Sequence, residues 1–231
     1  MRFQDAARDG RAVVYAAIQA EPLVARAAAI LADSDGPGRL LARAIMNGES
    51  TDPTVWRTMF PSLWSGGASE SERARAEAIL AVSLDVAGRG EQVRSQVRGA
   101  IVEALTAELL ARRGPPVAAT IRRERRILFD GVAAEIHPYD VTVESPGSAE
   151  AWDCKWGARG IGPDVLYQLD DARTHALDEE AVLMVGLVVF DAERSCRVRM
   201  AAQTAPSDGT RLVALEDLDR LARRSTPDGS G

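Results

Sequence analysis

The chain has 231 residues, 46% of them hydrophobic and 27% charged, which suits a globular protein with one core and an accessory segment. Acidic residues outnumber basic ones by 34 to 28, and a net charge of −6 excludes a protein that coats nucleic acid through bulk charge. Cys154 and Cys196 form no CxxC pair, which excludes a zinc ribbon, and in a chain of this size they read as free thiols of a reducing cytosol.

The start, MRFQDAARDGR, has no apolar h-region, so no signal peptide is expected. Residues 1–88 read as a helical accessory domain. RAVVYAAIQA, EPLVARAAAILA, PGRLLARAIM and VWRTMFPSLW each suit a short helix, separated by Pro and Gly punctuation. Ser69 with Glu72 three residues on predicts a capping box for a helix running to about Val86. Trp56, Met59, Phe60, Leu63 and Trp64 recur at helical spacing and are expected in the core.

Residues 89–231 have a different texture. A helix is expected over Glu91–Arg113, stopped by Gly114 and Pro115-Pro116. VAATI (117–121), RRILFD (125–130), VAAEI (132–136), YDVTVES (139–145) and AEAWDCKW (149–156) have strand character. Pro163 opens a helix whose apolar stripe is Val165, Leu169, Ala172 and Ala176. AVLMVGLVVF (181–190) is too short to span a membrane and suits a buried strand, so the expectation is a cytoplasmic protein without a membrane partner. SCRVRMAA (195–202) reads as a strand, Leu212–Arg223 as a closing helix and STPDGSG as a frayed tail. The α-β-β-β-α-β order predicts an α/β fold, a mixed sheet covered by helices.

Lys155 is the sole lysine among 28 basic residues. Alternation puts Asp153 and Lys155 on one face of their strand, about 7 Å apart at ~3.3 Å per residue. If that strand pairs with YDVTVES through the short SerProGlySer connection, Asp140 approaches Asp153. Like charges repel, so two carboxylates beside an ammonium make best sense around a divalent cation. Mg²⁺, with Mn²⁺ substituting, takes hard oxygen ligands and substrate phosphate together, which is the requirement of phosphodiester hydrolysis. A compact ammonium suits the attacking water and the phosphate better than a wide guanidinium fork. The competing reading is a plain surface pair on an edge strand.

Asp140, then Asp153-Cys154-Lys155, after a helix carrying Glu103, resembles the PD-(D/E)xK nuclease superfamily, the restriction-endonuclease-like fold, over about residues 91–190. The resemblance implies that Asp140 and Asp153 bind metal, with the Cys154 carbonyl as a further ligand, and that Lys155 positions or activates the water. It also implies that Glu103 serves the site from the first helix, with Glu108 the competing choice, and that Gln168 fills the place where several branches carry a helical glutamine. Tyr139 stands where the family's proline is common, with Pro138 one place earlier.

Arg112, Arg113, Arg122, Arg123, Arg125 and Arg126, interrupted by Glu124, form the densest basic cluster. They read either as phosphate contacts or as charges that blunt an edge strand. Asp130 before Gly131 reads as a turn residue, and His137 and His175 as structural. The implied activity is a metal-dependent nuclease, DNA ahead of RNA, in a bacterial defence, mobile-element or repair setting. The acidic total calls for a homodimer or a partner protein to complete the groove. Two other readings stay open: a nuclease-like scaffold that binds or assembles without cutting, and an unrelated α/β domain of a protein complex.

Overall fold

The computed structural model describes residues 1–6, 10–114, 119–133, 137–203, 205 and 208–223. Pro115-Pro116, the first two residues of VAATI, the last three of VAAEI and the tail STPDGSG lie outside the described residues, as do the expectations placed on them. Two units divide the chain: Arg8–Leu105, which is helical, and Met1–Ala7 with Thr106–Gly231, which holds the sheet. The division falls inside the long helix rather than at residue 88.

The helical unit contains α1 (Gly10–Gln19), α2 (Pro22–Ala32), α3 (Gly36–Asn47), α4 (Pro53–Met59), α5 (Glu70–Ala87) and the first part of α6 (Glu91–Arg112). Proline opens α2 and α4 and stands in the first turn of α3, where a missing N–H costs nothing. The predicted capping box holds α5: Ser69 and Glu72 satisfy each other's backbone N–H groups. Leu31, Leu41, Ile45, Met46, Ile79 and Leu80 are buried between α2, α3 and α5. VWRTMFPSLW is not one helix. Pro61 has no N–H to continue it, and the chain resumes as a 3-10 turn over Pro61–Leu63. That break takes Leu63 and Trp64 off the expected stripe. Of the cluster only Trp56 is buried, its Nε1 donating to Ser50 O at 3.0 Å, and Met59 is 62% exposed.

The sheet unit contains β1 (Arg2–Asp5), β2 (Thr120–Phe129), β3 (Val132–Ala133), β4 (Tyr139–Ser145), β5 (Ser148–Lys155), α7 (Pro163–Asp178), β6 (Val182–Val189), α8 (Glu193–Ala201) and β7 (Arg211–Val213). Among the described residues one mixed sheet runs β1-β2-β4-β5-β6-β7, with β3 also paired to β2. The β1-β2-β4-β5 part is antiparallel and β5-β6-β7 is parallel. The expected α/β class with helices flanking a mixed sheet is what the chain adopts. Leu166, Leu169, Ala172 and Ala176 of α7 pack on Ala151, Val185, Leu187 and Val189 of the sheet. Gly186 of β6 stands opposite Trp152 of β5, and a Cβ there would lie 2.3 Å from the indole ring.

Three expectations are corrected. SCRVRMAA is helical, not a strand, and forms most of α8. Its alternation fits a strand, but the residues that face the core, Cys196 and Met200, are four apart, while Val198 is 65% exposed. Glu193 and Arg197 pair at 2.6 Å at the same i,i+4 spacing. The closing segment is β7 followed by a 3-10 helix over Leu215–Ala222, not one helix from Leu212. The first residues form β1 on β2, a strand too short to show alternation. No single described helix is long and apolar enough to cross a membrane; α1 and α2 reach that length only as a pair bent by 56°.

Candidate active site

The site begins where β4 and β5 part. Their ladder runs from Ser145↔Ser148 to Val141↔Trp152, while β5 stays paired with β6 as far as Lys155↔Val189. At the next step a side chain replaces the ladder: the Cys154 N–H donates to Asp140 Oδ2 at 2.5 Å. The Asp140 carboxylate thus closes the gap that the diverging strands open.

Asp153 and Lys155 follow on β5. Asp153 is 6% exposed, and its Oδ1 forms an ion pair with Lys155 Nζ. No other donor is hydrogen-bonded to that buried oxygen among the described residues. Burial is the largest influence on Lys155 and pushes its pKa down, but Asp153 and then Asp140 outweigh it and the net direction is up. The ammonium therefore stays charged across the neutral range. Its backbone is fixed as well, since Phe190 N donates to Lys155 O at 2.9 Å. Cys154 turns its thiol the other way, to Thr106 Oγ1 at 3.4 Å, and both cysteines are buried thiols outside any disulfide.

Sequence reasoning passed over Glu124. It stands in β2 between Arg123↔Val141 and Arg125↔Tyr139, opposite Asp140, in the left-handed region at φ 53°. A carboxylate oxygen of Glu124 and one of Asp140 lie within 4.8 Å of each other. Its one mark in the sequence is that of a single acid inside a run of arginines. Two hard-oxygen donors this close could hold a divalent cation between them.

The other predicted residues fall into three groups. Gln168 is 4% exposed and reaches the entrance to β4: its Oε1 accepts from His137 N at 3.1 Å and its carbonyl from Tyr139 Oη at 3.3 Å. Its Nε2 is buried without a hydrogen-bond partner among the described residues. Glu103 lies in the helical unit, 4% exposed, where Tyr15 Oη donates to Oε1 and Gln19 Nε2 to Oε2, the latter at 2.7 Å. Of the arginines, Arg112 pairs with Glu108, Arg113 with Glu150 and Arg125 with Glu144 and Asp5. Arg122 is exposed, and Arg123 and Arg126 are half-buried. Asp130 is a turn residue at φ 48°, and its N–H donates to Glu179 Oε1 at 2.6 Å. His137 is exposed, and His175 packs edge-on against Phe129.

The chain matches no protein-family model, no curated protein and no solved structure.

Proposed function

We propose that the chain is a metal-dependent nuclease of the PD-(D/E)xK type, with DNA ahead of RNA as substrate. The observation that carries this reading is the buried Asp153–Lys155 pair beside Asp140 at the parting of β4 and β5. A sequence of helix, three main strands, helix and strand, α6-β2-β4-β5-α7-β6, supports the restriction-endonuclease-like topology. Asp140, Asp153 and the Cys154 carbonyl would hold Mg²⁺ or Mn²⁺, with Glu124 beside them and Glu103 assigned by the family resemblance. The cation would lower the pKa of a water and neutralise charge on the phosphate.

The protein's own groups set the rest. Lys155, ion-paired with Asp153, would orient the attacking water and hold a phosphate oxygen as negative charge grows there. Gln168 Nε2 is a buried donor with no acceptor among the described residues, and a phosphate oxygen or an ordered water would supply one. Arg122, exposed on β2, and the half-buried Arg123 would meet backbone phosphates, while the ion-paired Arg112, Arg113 and Arg125 stiffen the frame. With a net charge of −6, a second copy or a partner protein would complete the groove. A bacterial defence, mobile-element or repair setting fits an enzyme of this kind.

One observation favours a second reading. Asp140 and Asp153 already have protein partners, as they would in a nuclease-like subunit that binds nucleic acid without cutting it. The test incubates the wild type and Lys155→Ala with circular DNA, linear DNA and structured RNA, in Mg²⁺, Mn²⁺ or EDTA. The nuclease reading expects metal-dependent cutting that falls by about 10²–10³-fold in the variant. Binding without cutting under every condition selects the silent subunit.

A further inference from the structure

Resting on that reading, we propose that Gly160 is a positioning residue for Lys155: its bare backbone lies against the lysine stem and fixes where the ammonium stands. A Cβ built on Gly160 would lie 3.1 Å from Lys155 Cδ and 3.3 Å from its Cβ and Cγ. Those are the nearest atoms it would meet, and all belong to the lysine. The backbone itself does not demand glycine, because φ at 160 lies outside the left-handed region, unlike Gly131 and Gly147. What a side chain at 160 would disturb is Lys155.

Both sides of this contact are anchored. The 3-10 turn Ala158–Gly160 is held by Ala158 N donating to Asp191 Oδ2 at 2.9 Å and by Gly160 N donating to Gly157 O at 2.9 Å. Ile161, fully buried, follows it, and its carbonyl accepts from Arg199 Nε at 3.1 Å. The turn therefore cannot swing away from β5 without breaking bonds to the ends of β6 and α8. On the other side, the Lys155 carbonyl is bonded to Phe190 and its head to Asp153. Lysine is a flexible side chain with four rotatable bonds, and clamping both stem and head removes the freedom that would blur a catalytic position. Gly160 supplies the clamp on the stem.

A one-lysine chain makes the test direct, because ¹³C-lysine labelling reports Lys155 alone. Side-chain spectra would be recorded for the wild type, Gly160→Ala and Arg159→Ala, with amide spectra to verify the fold and with metal-dependent cleavage measured alongside. Gly160→Ala should shift the Lys155 Cδ and Cε resonances and lower kcat about tenfold with KM unchanged, since displacements below 1 Å are costly at a reacting centre. Arg159→Ala, on the same turn but exposed, should leave the Lys155 resonances in place. Wild-type Lys155 resonances in Gly160→Ala would overturn the assignment. A folded wild type that cuts nothing would overturn the nuclease reading instead, while the spectra still decide the role of Gly160.

Discussion

Lys155→Met removes the ammonium and keeps an unbranched stem, leaving Asp153 with its buried oxygen and no counter-ion. The two side chains are 26% and 8% exposed, so the pair is neither a surface bridge nor fully sealed from water. Removing one partner of a buried pair costs about 3–5 kcal/mol, and the quarter-exposed lysine places this case near 3 kcal/mol. For a protein of this size that lowers Tm by about 6–12 °C. Asp153→Asn/Lys155→Met removes both charges together and should return to within about 1 kcal/mol of the wild type. The assay is chemical and thermal unfolding in EDTA, which keeps bound cations out of the comparison. A Lys155→Met protein within about 0.5 kcal/mol of the wild type would mean that the pair behaves as an exposed bridge, and the argument for a built site would fail.

Gly186→Ala places a methyl group inside the Trp152 ring position with no space to yield, so it should cost at least about 3 kcal/mol; a wild-type melting curve would refute the packing argument. Glu77 accepts from Arg57 at 3.0 and 2.8 Å and from Trp64 Nε1 at 2.7 Å, and the Arg57 bond foremost lowers its pKa below the ordinary 4.5. With the folded value the lower one, this contribution is complete above pH 4.5 and is lost as pH falls through the folded pKa. An acid titration of tryptophan fluorescence should show a step below pH 4.5 that Glu77→Gln lacks.

The elements legible in the sequence are those whose burial follows a simple period. β4, β5, β6 and α7 fall where alternation, an unbroken apolar run and a 3.6-residue stripe put them. β1 and β7 were not legible because strands of four and three residues show no period; only the sheet they join defines them. α8 misled because cysteine, valine and methionine alternate with charged residues while only two of the three face the core. At the site, Asp140, Asp153 and Lys155 converge because a hairpin register is a local property that a short turn fixes. Glu124 was hidden because its relation to Asp140 depends on β2 pairing with β4 across a longer connection. The arginines admit two readings in the sequence for a related reason. Composition shows charge but not which carboxylates the fold brings to meet it, as it does for Arg112, Arg113 and Arg125.

The choice of lysine at 155 follows from the same pairing rules. Two of this chain's arginines answer one carboxylate with a fork: Arg57 on Glu77 and Arg113 on Glu150 each bring two nitrogens to two oxygens. At 155 the charge serves two carboxylates on different strands, Asp153 by contact and Asp140 through its field. Asp140 in turn keeps one oxygen on the Cys154 N–H and another group, Glu124, close by. A guanidinium can meet two acids as well, as Arg125 does with Glu144 and Asp5, but it does so through separate arms of a wide plane. An ammonium is a point charge without that plane, and its stem is narrow enough to lie along Gly160. The position asks for a small cation that can face a third charged group, and under the nuclease proposal that group would be a phosphate entering between Asp140 and Lys155.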